Sequence, residues 1–221
     1  MSTNTHREGI ESLARKMGAA VFGVAELGEV RDISGEVSLS GLSTGISYGY
    51  RLSDVVLDGI SDYPTRTYQY HYRQVNLLLD QIGLRIASVI HDLGYRAFPV
   101  PSSQVVGWEN LTGHISHKVI GRLAGLGWIG RNNLLVNPKH GARLRYASVL
   151  TDLVLPGDTP LEEDCGDCDR CIAVCPGGAI GADRSSFDLD KCIHTIEVIT
   201  KKANIGSKIC GICVKACTGK D

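Results

Sequence analysis

Cys165-Gly-Asp-Cys168-Asp-Arg-Cys171-Ile-Ala-Val-Cys175-Pro176 is the stretch whose spacing decides how this chain folds. Cys192 follows alone, and Cys210-Gly-Ile-Cys213-Val-Lys-Ala-Cys217 closes the pattern. These residues are all eight cysteines of a 221-residue chain. A Cys-x2-Cys-x2-Cys run lets one tight loop present three thiolates to a single inorganic centre. The next cysteine lies a helical turn further on, points away and reaches a neighbouring centre.

That run, with Cys-Pro after it, is the bacterial ferredoxin spacing for a [4Fe–4S] cluster, whose fourth cysteine ligates the other cluster. Eight thiolates make two sets of four. The spacing assigns Cys165, Cys168, Cys171 and Cys217 to one cluster, and Cys175, Cys192, Cys210 and Cys213 to the other. Three plainer readings compete. Zinc favours paired Cys-x2-Cys units. A disulfide framework suits small secreted domains. Unrelated structural cysteines would not bunch in this way.

Outward from the cysteines, the length allows one ordinary domain and a small one. Pro156-Gly-Asp-Thr-Pro160 marks the expected boundary, giving an α/β domain over 1–157 and a two-cluster ferredoxin-like domain over 158–221. Apolar residues make up 43% of the chain, enough for a core. The formal net charge of −1 argues against a broad nucleic-acid face. No apolar run approaches the roughly 20 residues that span a bilayer. The N-terminus has neither an apolar signal core nor a twin arginine, so a cytoplasmic, reducing location is expected.

Periodicity predicts a helix over Glu8–Met17, stopped by Gly18, and a buried strand over Ala19–Ala25. A strand is expected around Ile46–Tyr48 and a short helix over Leu52–Ile60. The longest periodic segment, Thr67–Leu93, places Val75, Leu79, Ile82, Ile86 and Ile90 on one face. A strand follows Gly94, a helix is expected over His114–Ala124, and strands over Leu134–Val136 and Arg145–Thr151. Helices are expected after Cys168, over Cys192–Lys201 and over Cys210–Cys217.

The stretch Ala124-Gly-Leu-Gly-Trp-Ile-Gly-Arg-Asn-Asn-Leu-Leu-Val136, with Ser148–Asp152, Cys192–Glu197 and the cysteine pattern, resembles the epoxyqueuosine reductase family. Corrinoid-dependent reductive dehalogenases are relatives of that family. The resemblance implies a nitroreductase-like, cobalamin-processing-like N-terminal domain. It also implies two [4Fe–4S] clusters fed by a ferredoxin or flavodoxin, and a cobalamin beside the first cluster with no histidine on cobalt. The positions that match the family's motifs and would line the cofactor pocket are Tyr70, His71, Gly127, Trp128, Arg131 and Asn132, and His117, near the family's acid in sequence, is expected to line the same pocket.

This chain departs from the family in several places. The family's catalytic Asp falls at about Leu111, its Asp-Tyr-His becomes Gln69-Tyr70-His71, and its last Cys-Pro becomes Cys217-Thr218. The helical-repeat tail that helps the family hold tRNA has no counterpart before Asp221. From these departures we expect no conversion of epoxyqueuosine in tRNA and no nucleic-acid partner. Gly113-His-Ile-Ser-His-Lys118 gives this chain the look of a separate branch.

Among candidate catalytic residues, His114 and His117 at i, i+3 share a helical face and offer a titratable proton donor. Tyr70 offers a phenolic one. The plain alternative is an ordinary helix start and helix-end packing. Trp128, Arg131 and Asn132 follow a glycine turn that lets a bulky cofactor approach. Arg143 and Arg145 read as a solvated strand edge, and Lys191, Lys201, Lys202 and Lys208 as a cationic rim.

Three functions fit these readings: an iron–sulfur oxidoreductase that reduces a corrinoid, or a substrate through it; a pure electron carrier; and a flavoprotein with FMN in place of the corrinoid. No Gly-x-Gly-x-x-Gly follows a strand, which disfavours direct use of a nicotinamide.

Overall fold

Ser2 opens α1 (Thr3–Lys16), its hydroxyl accepting from the Thr5 N–H, and Ile10 and Ala14 turn inward. The computed structural model describes residues 2–28, 35–107 and 112–220. In chain order come β1 (Val21–Glu26), β2 (Thr44–Arg51), α2 (Asp54–Asp58), α3 (Arg66–Asp92), β3 (Ala97–Val100) and α4 (His117–Leu123). They are followed by β4 (Trp128–Ile129), β5 (Leu135–Val136), β6 (Leu144–Thr151), α5 (Arg170–Ala173), α6 (Leu189–Ala203) and α7 (Ile212–Ala216). The architecture is mixed α/β, as expected.

The chain forms two compact units. The first comprises Met1–Tyr50, Asn76–Leu126 and Arg145–Leu161. Its four-stranded sheet runs β1-β2-β6-β3, with β1 antiparallel to β2 and β3 antiparallel to β6. Leu79, Ile82, Ile86 and Ile90 of α3 are fully buried, at the 3.6-residue spacing the sequence displays. Tyr48 of β2 reaches the same helix and donates to the Leu79 carbonyl at 3.1 Å. Gly83 leaves the room for this: a Cβ there would lie 2.6 Å from the Tyr48 hydroxyl. Gly23 of β1 likewise admits α4, since a Cβ would strike the Ala124 carbonyl.

The second unit comprises Arg51–Val75, Gly127–Leu144 and Glu162–Asp221. Its hairpin pairs β4 with β5 antiparallel. Arg143 donates to Asp54 Oδ1 at 2.9 Å and to the Lys215 carbonyl from Nε at 3.1 Å. Lys215 in turn donates from Nζ to the carbonyls of Asp58 and Ile60 at 3.0 and 2.8 Å. These bonds tie α2 and α7 to the segment after β5.

This division differs from a linear split at 157/158. Three segments distant in sequence build each unit, and pairings across 70 or more residues leave no local trace. The Pro156–Pro160 segment is anchored rather than a free linker. Asp158 takes two hydrogen bonds from Arg7, at 2.6 and 2.8 Å, and one from the Val24 N–H at 2.8 Å.

Three local readings are corrected. Helix α4 starts at His117, not His114, because Ser116 is the extended N-cap residue; the two histidines therefore do not share a helical face. Arg143 and Arg145 are not a solvated edge. Arg143 is held by Asp54, and Arg145 bonds Asn76 Oδ1 at 3.1 Å and the Ser102 carbonyl at 3.2 Å.

Candidate functional site

The first cysteine set is built by a loop and one helical turn. Gly166 takes φ +51 between Cys165 and Cys168, and the Cys168 N–H bonds the Cys165 carbonyl at 3.1 Å. Helix α5 then carries Cys171, which is buried. Arg131 clamps this loop, donating to the carbonyls of Gly166 (2.8 Å), Cys168 and Ala182. Arg170 was not singled out from sequence, yet it reaches both ends of the set. It donates to Cys168 Sγ at 3.4 Å, to Thr218 Oγ1 at 2.8 Å and to the Gly219 carbonyl at 3.1 Å. Its position between two ligand candidates was the available signal.

Trp128 is buried and donates its indole N–H to Cys165 Sγ at 3.4 Å. Gly130 lies against the same sulfur, where a Cβ would stand 3.3 Å away. The thiol chemistry shows which cysteines are neighbours. Burial, then the proximity of Cys217, Cys165 and Cys168, pushes the Cys171 thiol up to about 11. Cys217 is raised by burial, with Cys165 and Cys168 adding to it. The Arg170 hydrogen bond lowers Cys168.

The second set is Cys175, Cys192, Cys210 and Cys213. These four line one cavity of about 40 Å³ with Pro176, Ile180, Phe187, Ile196 and Ile212. Asp188 caps α6, its carboxylate accepting from the Lys191 N–H, and so fixes the turn that carries Cys192. Gly211, at φ +85, makes the turn into α7; a Cβ there would meet Tyr68 Cε1 and Ile60 Cδ1 at 2.7 Å. The Ala179 N–H donates to Cys175 Sγ at 3.4 Å. Burial and the nearby Cys192 and Cys175 push Cys210 up to about 11. Cys213 is driven higher still by burial, beside Cys210, Cys192, Cys171 and Cys175.

Cys175, Cys192, Cys210 and Cys213 share a cavity, and Cys171 is perturbed by Cys217, Cys165 and Cys168 beyond its burial, while Cys213 is perturbed by Cys171 as well as by Cys210, Cys192 and Cys175. All eight cysteines are free thiols. Among the described residues, no three His, Cys, Asp or Glu side chains converge closely enough to hold a single metal ion. A zinc ion would draw sulfurs to about 2.3 Å from one point. A cavity ringed by four thiols, whose mutual repulsion bound iron would relieve, fits a larger cationic cluster.

The residues assigned to a corrinoid are committed elsewhere. Trp128 and Arg131 bond the first cysteine loop, and Asn132 lines the second cavity. Gly127 packs on the Val136 carbonyl in the hairpin. Tyr70 is 67% exposed, while its neighbour Tyr68 is buried against Gly211. His71 Nε2 accepts from the Ser53 N–H at 3.1 Å. In the first unit, His114 bonds Gln104 Oε1 at 3.3 Å and stands edge-on to Phe98. His117 uses both ring nitrogens, on Ser148 Oγ and the Pro101 carbonyl, each at 3.1 Å. These are the contacts that each residue makes within its own unit. The position of the family's acid, at about Leu111, lies outside the described residues.

The lysine rim is largely neutralised. Lys191 pairs with Asp188 at 3.1 Å and Lys208 with Glu197 at 2.8 Å, and Lys202 lies over the Tyr63 ring. No helix of the described residues is long and apolar enough to cross a membrane.

No family model matches the chain. A curated protein does: the epoxyqueuosine reductase of Xanthomonas campestris pv. campestris is 32% identical over 196 residues, which is 84% of this chain and 52% of that protein. The chain is a relative of the epoxyqueuosine reductases. It spans about half the length of that protein, and 31% of the Aliivibrio fischeri enzyme of the same name. Solved structures share its fold. The catabolic reductive dehalogenase NpRdhA superposes with a TM-score of 0.78 at 20% identity, over 98% of this chain and 32% of that one. Epoxyqueuosine reductase from Streptococcus thermophilus gives 0.67 at 19% identity, over 96% and 65%. Another epoxyqueuosine reductase, solved with an epoxyqueuosine-modified tRNA stem loop, gives 0.59 at 18% identity, over 88% and 58%.

Proposed function

We propose that this relative of the epoxyqueuosine reductases is an iron–sulfur oxidoreductase, in which two [4Fe–4S] clusters relay electrons from a low-potential donor such as a ferredoxin or flavodoxin to a reducible substrate. The observation that carries this reading is the sorting of eight free cysteines into two neighbouring sets of four. Arg131 and Arg170 hold the first set's loop, and Trp128 supplies an N–H to Cys165. Hydrogen bonds to cluster sulfurs and net charge set cluster potentials. Free thiols suit a reducing, cytoplasmic compartment.

A corrinoid, when bound, supplies low-potential cobalt chemistry that no side chain has. Its support here is kinship, and FMN is the alternative. Visible absorption of anaerobically purified protein tests the reading. Broad sulfide-to-iron absorption is expected, with corrin bands after addition of cobalamin. Flavin bands and no cluster absorption would contradict it.

A second reading, reduction of epoxyqueuosine in tRNA, is favoured by the names of the curated relatives. It opposes the expectation drawn from Leu111 and Gln69, and one experiment separates the two. If the departures decide, expression in a strain lacking its reductase leaves tRNA in the epoxy form. Restored queuosine would establish the second reading.

A further inference from the structure

Asn132 sits in the second unit, just beyond β4, and is only 4% exposed. Its Oδ1 accepts from the Leu134 N–H at 3.2 Å. That bond fixes which end of the amide is oxygen and aims Nδ2 the other way. Nδ2 is buried without a hydrogen-bond partner. The residue lines the cavity that Cys175, Cys192, Cys210 and Cys213 surround. The other polar lining side chain, Thr195, donates to the Lys191 carbonyl at 2.7 Å, and its oxygen makes no bond to Asn132 Nδ2. The remaining lining is Pro176, Ile180, Phe187, Ile196 and Ile212, which offers an amide nothing.

A buried N–H left without an acceptor has lost its bond to water with nothing in return. A chain that keeps such a donor facing four thiols has an acceptor for it when the site is filled. The acceptors available there are sulfurs. A hydrogen bond to a cluster sulfur withdraws electron density and stabilises the more negative, reduced state.

We propose that Asn132 donates a hydrogen bond from Nδ2 to a sulfur of the cluster held by Cys175, Cys192, Cys210 and Cys213, and that this bond raises that cluster's reduction potential. Asn132 is thus a tuning residue of the second cluster rather than a corrinoid contact. The proposal rests on the cluster reading above. It implies an asymmetry between the centres: an indole N–H serves the first and a side-chain amide the second.

The test uses anaerobically purified holo-protein, titrated potentiometrically and followed by EPR, with iron and labile sulfide measured on each sample. In Asn132→Leu, which keeps the branched shape and lacks the donor, the second cluster's midpoint is expected to fall while the first cluster's stays put. Asn132→Asp keeps the acceptor for the Leu134 N–H, removes the donor and adds charge, so a larger fall is expected. Pulsed EPR of reduced wild-type protein labelled with 15N-asparagine is expected to show an amide coupling at the second cluster. Variants with full iron and wild-type potentials would overturn the proposal. So would absence of that coupling, a readout that stands even if Asn132→Leu fails to hold its cluster. Protein with no labile sulfide at all would instead overturn the cluster reading itself.

Discussion

Cys175→Ala is expected to remove the cluster that Cys192, Cys210 and Cys213 hold and to leave the other in place. The ferredoxin spacing assigns Cys175 to that set, although it lies four residues from Cys171 and seventeen from the nearest other cysteine of its own set. The structure puts it in the cavity with Cys192, Cys210 and Cys213. Burial raises Cys192 and Cys210 most, with Cys175 adding to the first and Cys192 and Cys175 to the second. Burial likewise raises Cys171 most, and there the added contributions come from Cys217, Cys165 and Cys168. Losing one of four ligands should cost the protein about half its iron, on the count of four cysteines per cubane. EPR of the reduced variant should retain the signal of the first cluster and lose that of the second. Loss of the first signal with retention of the second would refute the crossed assignment.

The second large effect concerns His117 and pH. Burial, partly opposed by the Pro101 carbonyl and reinforced by Arg145, lowers its pKa to about 4; Asp80 acts in the raising direction. The imidazole is therefore neutral in the fold, donating from one nitrogen and accepting at the other. Protonation would break its acceptance from the Ser148 hydroxyl. The folded pKa lies below the unfolded value near 6.5, so the unfolded chain binds more protons as the pH falls. Stability attributable to His117 is present above about pH 6.5 and is lost progressively toward pH 4. Between pH 7.5 and pH 5 the loss should be about 2 kcal/mol. Burial lowers His71 and His140 as well, so the wild-type slope is a sum. Chemical denaturation of His117→Gln should show a flatter dependence over this range. An unchanged slope would mean that His117 is not held neutral by the fold. This role is structural; it differs from the proton donor that the residue's place in the sequence suggests.

Much of the fold was legible because it is periodic. Helix α3 was readable to within a residue of its ends, since Leu79, Ile82, Ile86 and Ile90 recur at helical spacing and all are buried. Strand β6 was readable from the apolar-rich Tyr146–Leu150 stretch, which is buried throughout. The two cysteine sets were legible because thiolate spacing encodes geometry directly.

What escaped the sequence depends on partners far along the chain. Arg143 looked like an exposed edge residue because its partner Asp54 lies 89 positions away. Asp158 looked like linker because Arg7 lies 151 positions away. The start of α4 was misplaced by three residues, because the extended Ser116 backbone, not the apolar pattern, sets the cap. Trp128, Arg131 and Asn132 were singled out as a group from the glycine turn, without their contacts to the cysteine region. The hairpin of β4 and β5 delivers them to the cysteine loops, which no local pattern announces.

The central claim is that these eight cysteines hold two cubanes. Anaerobically purified protein, analysed for metals and acid-labile sulfide, tests it most directly. About eight iron and about eight labile sulfides per chain are expected, from four of each per cubane. Zinc with no labile sulfide would contradict it.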